Sequence, residues 1–116
     1  MNVVRLGEAK KYDPPKHVGC HAMHLQHRTT GSKAPYWVGC SYYLPEGTAQ
    51  LDATDLDKVY VVLDGELTVT VEDAEERLGP LDSVYLAPGE SRTVRNQTNR
   101  VATMLVIMPY PPGQPV

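Results

Sequence analysis

The four histidines of the chain all fall between positions 17 and 27, which makes this segment the first candidate for chemistry. Imidazole is the commonest protein ligand for zinc, copper, nickel and iron, so a metal site is one interpretation of the cluster. On an extended strand, residues six apart share a face. This would place His21 and His27 together and His24 on the opposite face, with His17 on the face of His21. Histidines spaced by three do not converge on a strand, so the alternative is a polar strand or a dimer edge.

The cysteines and the acidic residues offer little further chemistry. Cys20 and Cys40 belong to no C-x-x-C unit, and a core of ordinary size in a reducing compartment needs no disulfide, so we expect free thiols. The acidic run from Glu72 to Glu76 is typical of a solvated hairpin tip. The sequence contains no nucleophile elbow, glycine-rich phosphate loop, H-E-x-x-H pattern or paired-carboxylate arrangement. None of the enzyme classes defined by those motifs is indicated.

Composition and charge limit the fold and the partners. The chain has 116 residues, of which 41% are hydrophobic and 22% charged, so we expect a single domain over residues 1–116. Within it, 1–16 is predicted to be an N-terminal arm and 110–116 a proline-rich tail. The net charge of -3 and the lack of a basic block argue against a nucleic-acid partner. No secretory signal or membrane span is visible, which favours a cytoplasmic protein without a membrane partner.

The elements that must position any site are predicted to be β-strands. Ten prolines and nine glycines separate segments rich in Val, Tyr, Thr and Leu, in which hydrophobicity alternates with a period of two. A tight turn is expected at 73–74 and a loop at 28–35, and short strands at this spacing predict an all-β sandwich or barrel. The predicted strands are 18–27, 36–44, 49–52, 58–63, 66–71, 75–78, 83–86, 91–96 and 101–108.

Two motifs in the middle of the chain are recognisable together. The first runs from Pro45-Glu46-Gly47 to the segment KVYVVLDGEL at 58–67, and the second is LDSVYLAPGESRTVRN at 81–96. In this order and at this spacing they resemble the two motifs of the cupin superfamily. The resemblance implies a jelly-roll barrel, also called a double-stranded β-helix. We expect sharp reversals at Gly65 and Gly89, where a positive φ costs glycine little.

The resemblance also shows where this chain departs from the superfamily. Cupins commonly bind a metal ion through two histidines and a glutamate of the first motif and a histidine of the second. The motif register places these four positions at Asp52, Thr54, Lys58 and Arg92. Lysine and arginine have no lone pair to give and repel a divalent cation, so only Asp52 is suited to coordinate one. We therefore expect no metal at this position, and no cofactor.

The replacing residues suggest a different use of the same interior. By the resemblance, Lys58 and Arg92 point into the barrel, and Tyr60 follows Lys58 on the same strand face. In one interpretation Asp52 balances both cations in a buried ion-pair network, and the Tyr60 hydroxyl bonds to the backbone. In the other, the surplus positive charge binds an anionic ligand. The substrate-binding residues would then be Arg92 and Thr54, and the catalytic residues Lys58, Tyr60 and Asp52.

These residues favour one function and leave two alternatives. The favoured function is a small metal-independent cupin that binds an anionic, carboxylate-bearing small molecule, with an isomerase, lyase or decarboxylase step by proton transfer as the reaction it would support. The first alternative is a non-catalytic cupin that senses or carries a metabolite. The second is a metal-dependent cupin oxygenase or isomerase whose ligands come from the N-terminal histidines. Metal content and substrate turnover separate the three.

We predict a homodimer in solution. By the resemblance, small cupins pair through their N-terminal strands, and Tyr36 and Trp37 open a strand where large rings cover a barrel mouth or a dimer face. Light scattering at micromolar concentration should therefore give twice the 12.8 kDa monomer mass. A monomer mass would contradict the prediction.

Overall fold

The computed structural model describes residues 1–113, so the end of the predicted tail, 114–116, lies outside the described residues. Two short 3₁₀ turns, Leu6–Glu8 and Arg28–Thr30, accompany the strands. No helix within 1–113 has the length and apolarity needed to cross a membrane. The strands are β1 (Lys10–Tyr12), β2 (His17–Gln26), β3 (Tyr36–Asp52), β4 (Lys58–Asp64), β5 (Leu67–Val71), β6 (Ala74–Leu78), β7 (Ser83–Leu86), β8 (Arg92–Arg95) and β9 (Ala102–Pro109).

The predicted all-β class is confirmed, but the predicted strands and turns differ from the structure in three places. Residues 10–12 of the predicted arm form β1, because they pair with β2 and place Tyr12 opposite Ala22. The strands predicted at 36–44 and 49–52 are one strand, β3, which continues through the Pro-Glu-Gly motif, where Glu46 has a φ of 69°. The turn predicted at 73–74 lies one residue earlier, where Glu72 adopts a φ of 51°.

The long strand β3 holds the sheet together. Its first half pairs with β9, its second half pairs with β8, and β2 runs beside it across the bend. All pairs are antiparallel, and the main path of the sheet runs β6-β5-β8-β3-β9-β4-β7. Because β3 changes partners along its length, the sheet curls into a nearly closed barrel. The inward faces of β3, β4, β8 and β9 therefore surround one interior.

Part of this interior is a packed aliphatic core. In β4 the alternation of inward and outward residues buries Lys58, Tyr60 and Val62. Tyr60 therefore shares a strand face with Lys58, as the spacing predicts, and that face points inward, as the resemblance implies. Each fully buried Leu or Val side chain stabilises the fold by roughly 1.5 to 3 kcal/mol relative to leaving it in water. This core stabilises the barrel around the polar residues described below. Its aliphatic members include Val62, Leu67, Val69, Leu78, Leu86, Val94, Ala102 and Met104.

The two glycines singled out by their motifs both have a positive φ, as predicted. Gly65 has a φ of 77° and Gly89 a φ of 84°. Their surroundings differ, because a Cβ on Gly65 would lie 2.8 Å from the Ala102 Cα and 2.9 Å from the Val101 carbonyl oxygen. A Cβ on Gly89 would meet no atom within 4 Å. An added Cβ would therefore cause backbone strain at both positions, but steric overlap only at Gly65.

We predict that Gly65→Ala destabilises the fold more than Gly89→Ala. The left-handed backbone conformation alone should cost about 1 to 2 kcal/mol in each variant. Overlap with β9 should add about 1 to 3 kcal/mol in Gly65→Ala only. Urea unfolding of both variants and the parent chain measures the difference. Equal losses of unfolding free energy would contradict the close approach of Gly65 to β9.

Candidate functional site

A cavity of about 210 Å³ opens into the barrel interior beside the aliphatic core. All five side chains singled out from the sequence line it, so the structure brings them to one place: Asp52, Thr54, Lys58, Tyr60 and Arg92. Lys58, Tyr60 and Arg92 are buried, whereas Asp52 and Thr54 are partly exposed. The buried members form the inner wall of the cavity and the others lie towards its rim.

Lys58 is the least compensated charge in the cavity. It is the first residue of β4, opposite Leu86 of β7, and only 3% of it is exposed. Its Nζ is buried and has no hydrogen-bond partner among the described residues. Burial, and then the neighbouring positive charge of Arg92, lower the pKa of this lysine. An ammonium in this position is therefore costly to hold and is nearer than usual to losing its proton.

Arg92 is fixed in place by two hydrogen bonds. It begins β8, where its Nε donates to the Tyr60 hydroxyl oxygen at 2.9 Å and its Nη1 donates to the Gln50 carbonyl oxygen at 2.9 Å. The Tyr60 hydroxyl therefore bonds to this guanidinium and not to the backbone, which was its partner in the ion-pair interpretation. Since the hydroxyl accepts from Arg92, its own proton is available to a ligand oxygen.

Asp52 does not form the ion-pair network with the two cavity cations that one of the two interpretations expected. Its Cα lies opposite that of Arg92 in the β3–β8 ladder, but the register shifts between Ala49 and this pair. Its Oδ1 accepts from the Ala53 amide at 2.9 Å and lies 3.6 Å from the Lys16 Nζ. The Ala53 hydrogen bond, more than the charges of Lys16 and Arg92, lowers the pKa of this carboxyl, which is therefore ionised. Its charge is directed to the arm rather than to the inner wall.

Thr54 shapes the loop at the rim. Its Oγ1 accepts from the Leu56 amide and donates to the Leu56 carbonyl oxygen, both at 3.3 Å. Its carbonyl oxygen accepts from the Gly89 amide at 2.8 Å, which ties this loop to the turn of the second motif. Thr54 lines the cavity, but its hydroxyl is already engaged within its own loop.

The donor set at this position does not fit a metal ion. Two of the four side chains, Lys58 and Arg92, are cationic donors of hydrogen bonds and offer no lone pair when charged. Asp52 is the single carboxylate, and it is engaged by Lys16 and Ala53. Across residues 1–113, no group of three or more His, Cys, Asp or Glu side chains is placed to hold a metal ion. We therefore assign no step to a metal.

The predicted pairing of His21 with His27 is wrong. The rings of His24 and His27 stack with centroids 3.6 Å apart and planes at 7°, whereas His21 is exposed. The strand alternation is interrupted because the β2–β3 register shifts between His24 and Gln26. Burial, and then the neighbouring His27, lower the pKa of His24 to about 4, so the stack is neutral near pH 7.

This histidine stack supports one side of the cavity. Tyr12 stacks on His24 with ring centroids 4.0 Å apart, and the edge of Trp37 meets the rings of Tyr12, His24 and His27. Tyr12 and Trp37 both line the cavity. Trp37 thus lies on the cavity, while Tyr12 was missed because no strand was predicted in the arm.

His17 is a second cavity residue that the strand pattern missed. The β2–β3 register shifts between Val18 and Cys20, and Gly19 between them has a φ of 64°. This bulge breaks the alternation that would have linked His17 to His21, so His17 lines the cavity. Gly19, two residues after His17, is the sequence signal that would have indicated such a bulge, because a glycine inside a strand often marks one.

Comparison with known proteins agrees with the motifs and the barrel. A family model described as a cupin domain matches residues 41–108. The protein named β-D-galactosidase Rv1717 of Mycobacterium tuberculosis is 48% identical over 111 residues, 96% of each chain. The polyketide cyclase RemF from Streptomyces resistomycificus has a similar structure, with a TM-score of 0.82 and 18% identity, over 94% of this chain and 79% of that one. A predicted oxalate decarboxylase from Thermotoga maritima has a TM-score of 0.77 and 19% identity, over 94% and 99%.

The two structural similarities bear on the fold alone. They confirm the jelly-roll barrel that the two motifs implied. The family match covers more than half of the chain, and the mycobacterial relative matches almost all of it. The chain therefore belongs to the cupin superfamily.

Proposed function

We propose that this cupin is a metal-independent enzyme that transfers protons to and from one small molecule bound in the cavity, with Lys58 as its acid–base group. The observation that carries the proposal is the buried Lys58 Nζ, which has no hydrogen-bond partner in the described residues. A buried charge without a partner costs several kcal/mol, on the order of the values found for isolated ions in proteins. A ligand oxygen would supply the missing partner.

Arg92 supports the role of ligand anchor. Two of the five N–H groups of a guanidinium are used here, for Tyr60 and for the Gln50 carbonyl. The other three have no partner among residues 1–113 and can bind ligand oxygens, in a geometry that the two existing bonds hold rigid. Because Asp52 is paired with Lys16, its carboxylate does not compete for Arg92 as an ion-pair partner. The inner wall therefore attracts an anion or an electron-rich oxygen.

The cavity size limits the ligand to one small molecule. At about 210 Å³ it is smaller than the roughly 300 to 1,000 Å³ of pockets that take drug-sized ligands. The aromatic rings of Tyr12 and Trp37 on one side and the polar groups on the other suit a flat, polar molecule such as one sugar ring or a small acid. A long oligosaccharide would have to extend beyond the rim.

The first candidate substrate is a β-D-galactoside, which the name of the 48% identical mycobacterial relative supports. In this reaction the bond from the anomeric carbon to the leaving oxygen breaks, and water adds to that carbon. Lys58 would give its proton to the leaving oxygen, and Asp52 would stabilise the positive charge that develops on the ring. Glycosidases usually use two carboxyl groups. Here an ammonium with a lowered pKa takes the place of the acidic one.

The second candidate substrate is a carboxylate-bearing small molecule, which the two cavity cations favour. Arg92 would hold the carboxylate, and the neutral amine of Lys58 would take a proton from the adjacent carbon in an isomerase, lyase or decarboxylase step. Tyr60 would donate to the oxygen on which negative charge develops. A barrel that binds such a molecule without turnover would instead be a metabolite carrier.

We predict that the chelator-treated protein hydrolyses 4-nitrophenyl β-D-galactopyranoside and lactose. Lys58→Met should lower kcat by about 100-fold or more on lactose, as expected for loss of a general acid. The loss should be smaller on the nitrophenyl substrate, because nitrophenolate leaves without a proton. Lys10→Met, on the exposed strand β1, is the matched control and should leave both rates unchanged. Released nitrophenolate and galactose are the quantities measured.

The outcomes separate the candidates. Equal losses on the two galactosides would contradict Lys58 as the acid. No turnover, together with a rise in melting temperature on adding D-galacturonate or acetate, would favour the carboxylate ligand. If the protein shows no turnover and no thermal shift, both substrate classes are rejected. Loss of activity on chelation would reject metal independence.

We also predict that Lys58→Met stabilises the ligand-free protein. Methionine fills a similar volume without a charge that needs a partner, so the unfolding free energy should rise by about 1 kcal/mol or more. Lys10→Met should change it by less than about 0.5 kcal/mol, as is usual for exposed positions. Urea unfolding at pH 7 measures both. A loss of stability in Lys58→Met would mean that the ammonium has a partner that stabilises the fold.

A further inference from the structure

His17 has a defined tautomer within the cavity. Its Nδ1 lies 2.8 Å from the Pro15 carbonyl oxygen. A carbonyl oxygen only accepts, so Nδ1 must carry the hydrogen of that bond. In the neutral ring this leaves Nε2 as the nitrogen with a free lone pair. His17 lines the cavity with Lys58 and Arg92, so a base is placed in the same space as the proposed acid.

The groups around His17 keep its ring neutral near pH 7. Burial lowers its pKa most, and the bond to the Pro15 carbonyl opposes this shift. From β8 the charge of Arg92 lowers the pKa further, while from the end of β3 Asp52 raises it. The ring of Tyr43 on β3 lies 6.4 Å away, at a tilt of 42°. Other titratable groups that line the same cavity are Tyr12, Asp13, Lys58 and Tyr60, and Lys16 precedes His17 in the chain.

The other polar groups of the cavity are less suited to accept a proton. The Asp52 carboxylate is stabilised in its ionised form by Ala53 and Lys16, which makes it a weak base. The Tyr60 oxygen accepts from Arg92. Asp13 is exposed at the rim. The neutral His17 is therefore the group best suited to accept a proton among those that line the cavity with Lys58.

We propose that His17 Nε2 is the general base of this site and acts on the water that attacks the anomeric carbon; this inference rests on the proposed galactoside hydrolysis. Nε2 takes one proton from water as its oxygen bonds to the anomeric carbon. Lys58 gives one proton to the leaving oxygen as its bond to that carbon breaks. The products are galactose and an alcohol, and the imidazolium and the amine return to their starting forms by proton exchange with solvent.

His17→Asn is the variant that separates this role from a structural one. The asparagine amide nitrogen occupies the place of Nδ1 and keeps the bond to the Pro15 carbonyl, but the base at Nε2 is lost. We expect kcat on lactose to fall by about 100-fold or more with little change in KM or melting temperature. His21→Asn makes the same change at an exposed histidine of β2 and should have no effect. Activity within threefold of the parent in His17→Asn would overturn the proposal.

Two kinetic signatures belong to a base and not to a structural residue. The kcat/KM of the parent should fall as pH decreases through the His17 pKa, which lies below the ordinary 6.5, because the protonated ring cannot accept. This acidic limb should be absent in His17→Asn. Azide can replace water as the nucleophile and needs no base, because it has no proton to lose. Added azide should therefore restore turnover of the nitrophenyl galactoside in His17→Asn. An unchanged acidic limb or no azide rescue would overturn the role.

An NMR measurement tests the geometry without any turnover. Nitrogen–proton correlation spectra of the histidine side chains should show the Nδ1–H tautomer for His17, and D-galactose should shift its Nε2 resonance but not that of His21. An Nε2–H tautomer, or no shift with D-galactose, would overturn the inference about His17. A parent chain that shows the tautomer and the shift but hydrolyses neither galactoside would reject the proposed function and leave His17 as a ligand-binding residue.

Discussion

The placement of the Lys58 ammonium inside the barrel is the constraint on which the rest of the site depends. Its Nζ is buried without a hydrogen-bond partner in the described chain, and Arg92 adds a second cation nearby. Like charges in a poorly hydrated interior destabilise each other, so the surrounding structure must hold them in place. The aliphatic core of β4, β5, β8 and β9 supplies that rigidity, and Tyr60 and the Gln50 carbonyl fix Arg92.

The elements that surround these cations are arranged so that their charge is not cancelled. The one nearby carboxylate at the superfamily's metal position, Asp52, is paired with Lys16 from the arm. The aromatic side of the cavity rests on His24 and His27, whose pKa values are lowered by burial, so it adds no positive charge near pH 7. The result is a cationic inner wall, a neutral aromatic side and the carboxylates of Asp52 and Asp13 at the rim. At two of the positions that the motif register assigns to the superfamily's metal ligands, this chain has the cations Lys58 and Arg92.

The motifs predicted the parts of the fold that depend on local rules. The positive φ of Gly65 and Gly89 follows from the reversals in the two motifs, and the alternation from Lys58 to Tyr60 follows from the spacing along one strand. The grouping of Asp52, Thr54, Lys58 and Arg92 was implied by the resemblance to the superfamily. What the sequence did not predict depends on contacts between distant segments. Two bulges in β2 change the strand face on which its histidines lie, so His17 lines the cavity and His24 stacks on His27. Asp52 turns away from Arg92 because the arm presents Lys16 and the next amide presents a donor.

The protonation equilibrium of Lys58 tests the central claim most directly. Its Cε and Hε resonances, followed by NMR across alkaline pH in the ligand-free protein, report the pKa of this one ammonium. The account predicts a midpoint below the ordinary lysine value of about 10.4, and a higher midpoint in Arg92→Gln, where the neighbouring cation is gone. A midpoint at or above the ordinary value would contradict it, because it would show that Lys58 already has a partner that stabilises its charge.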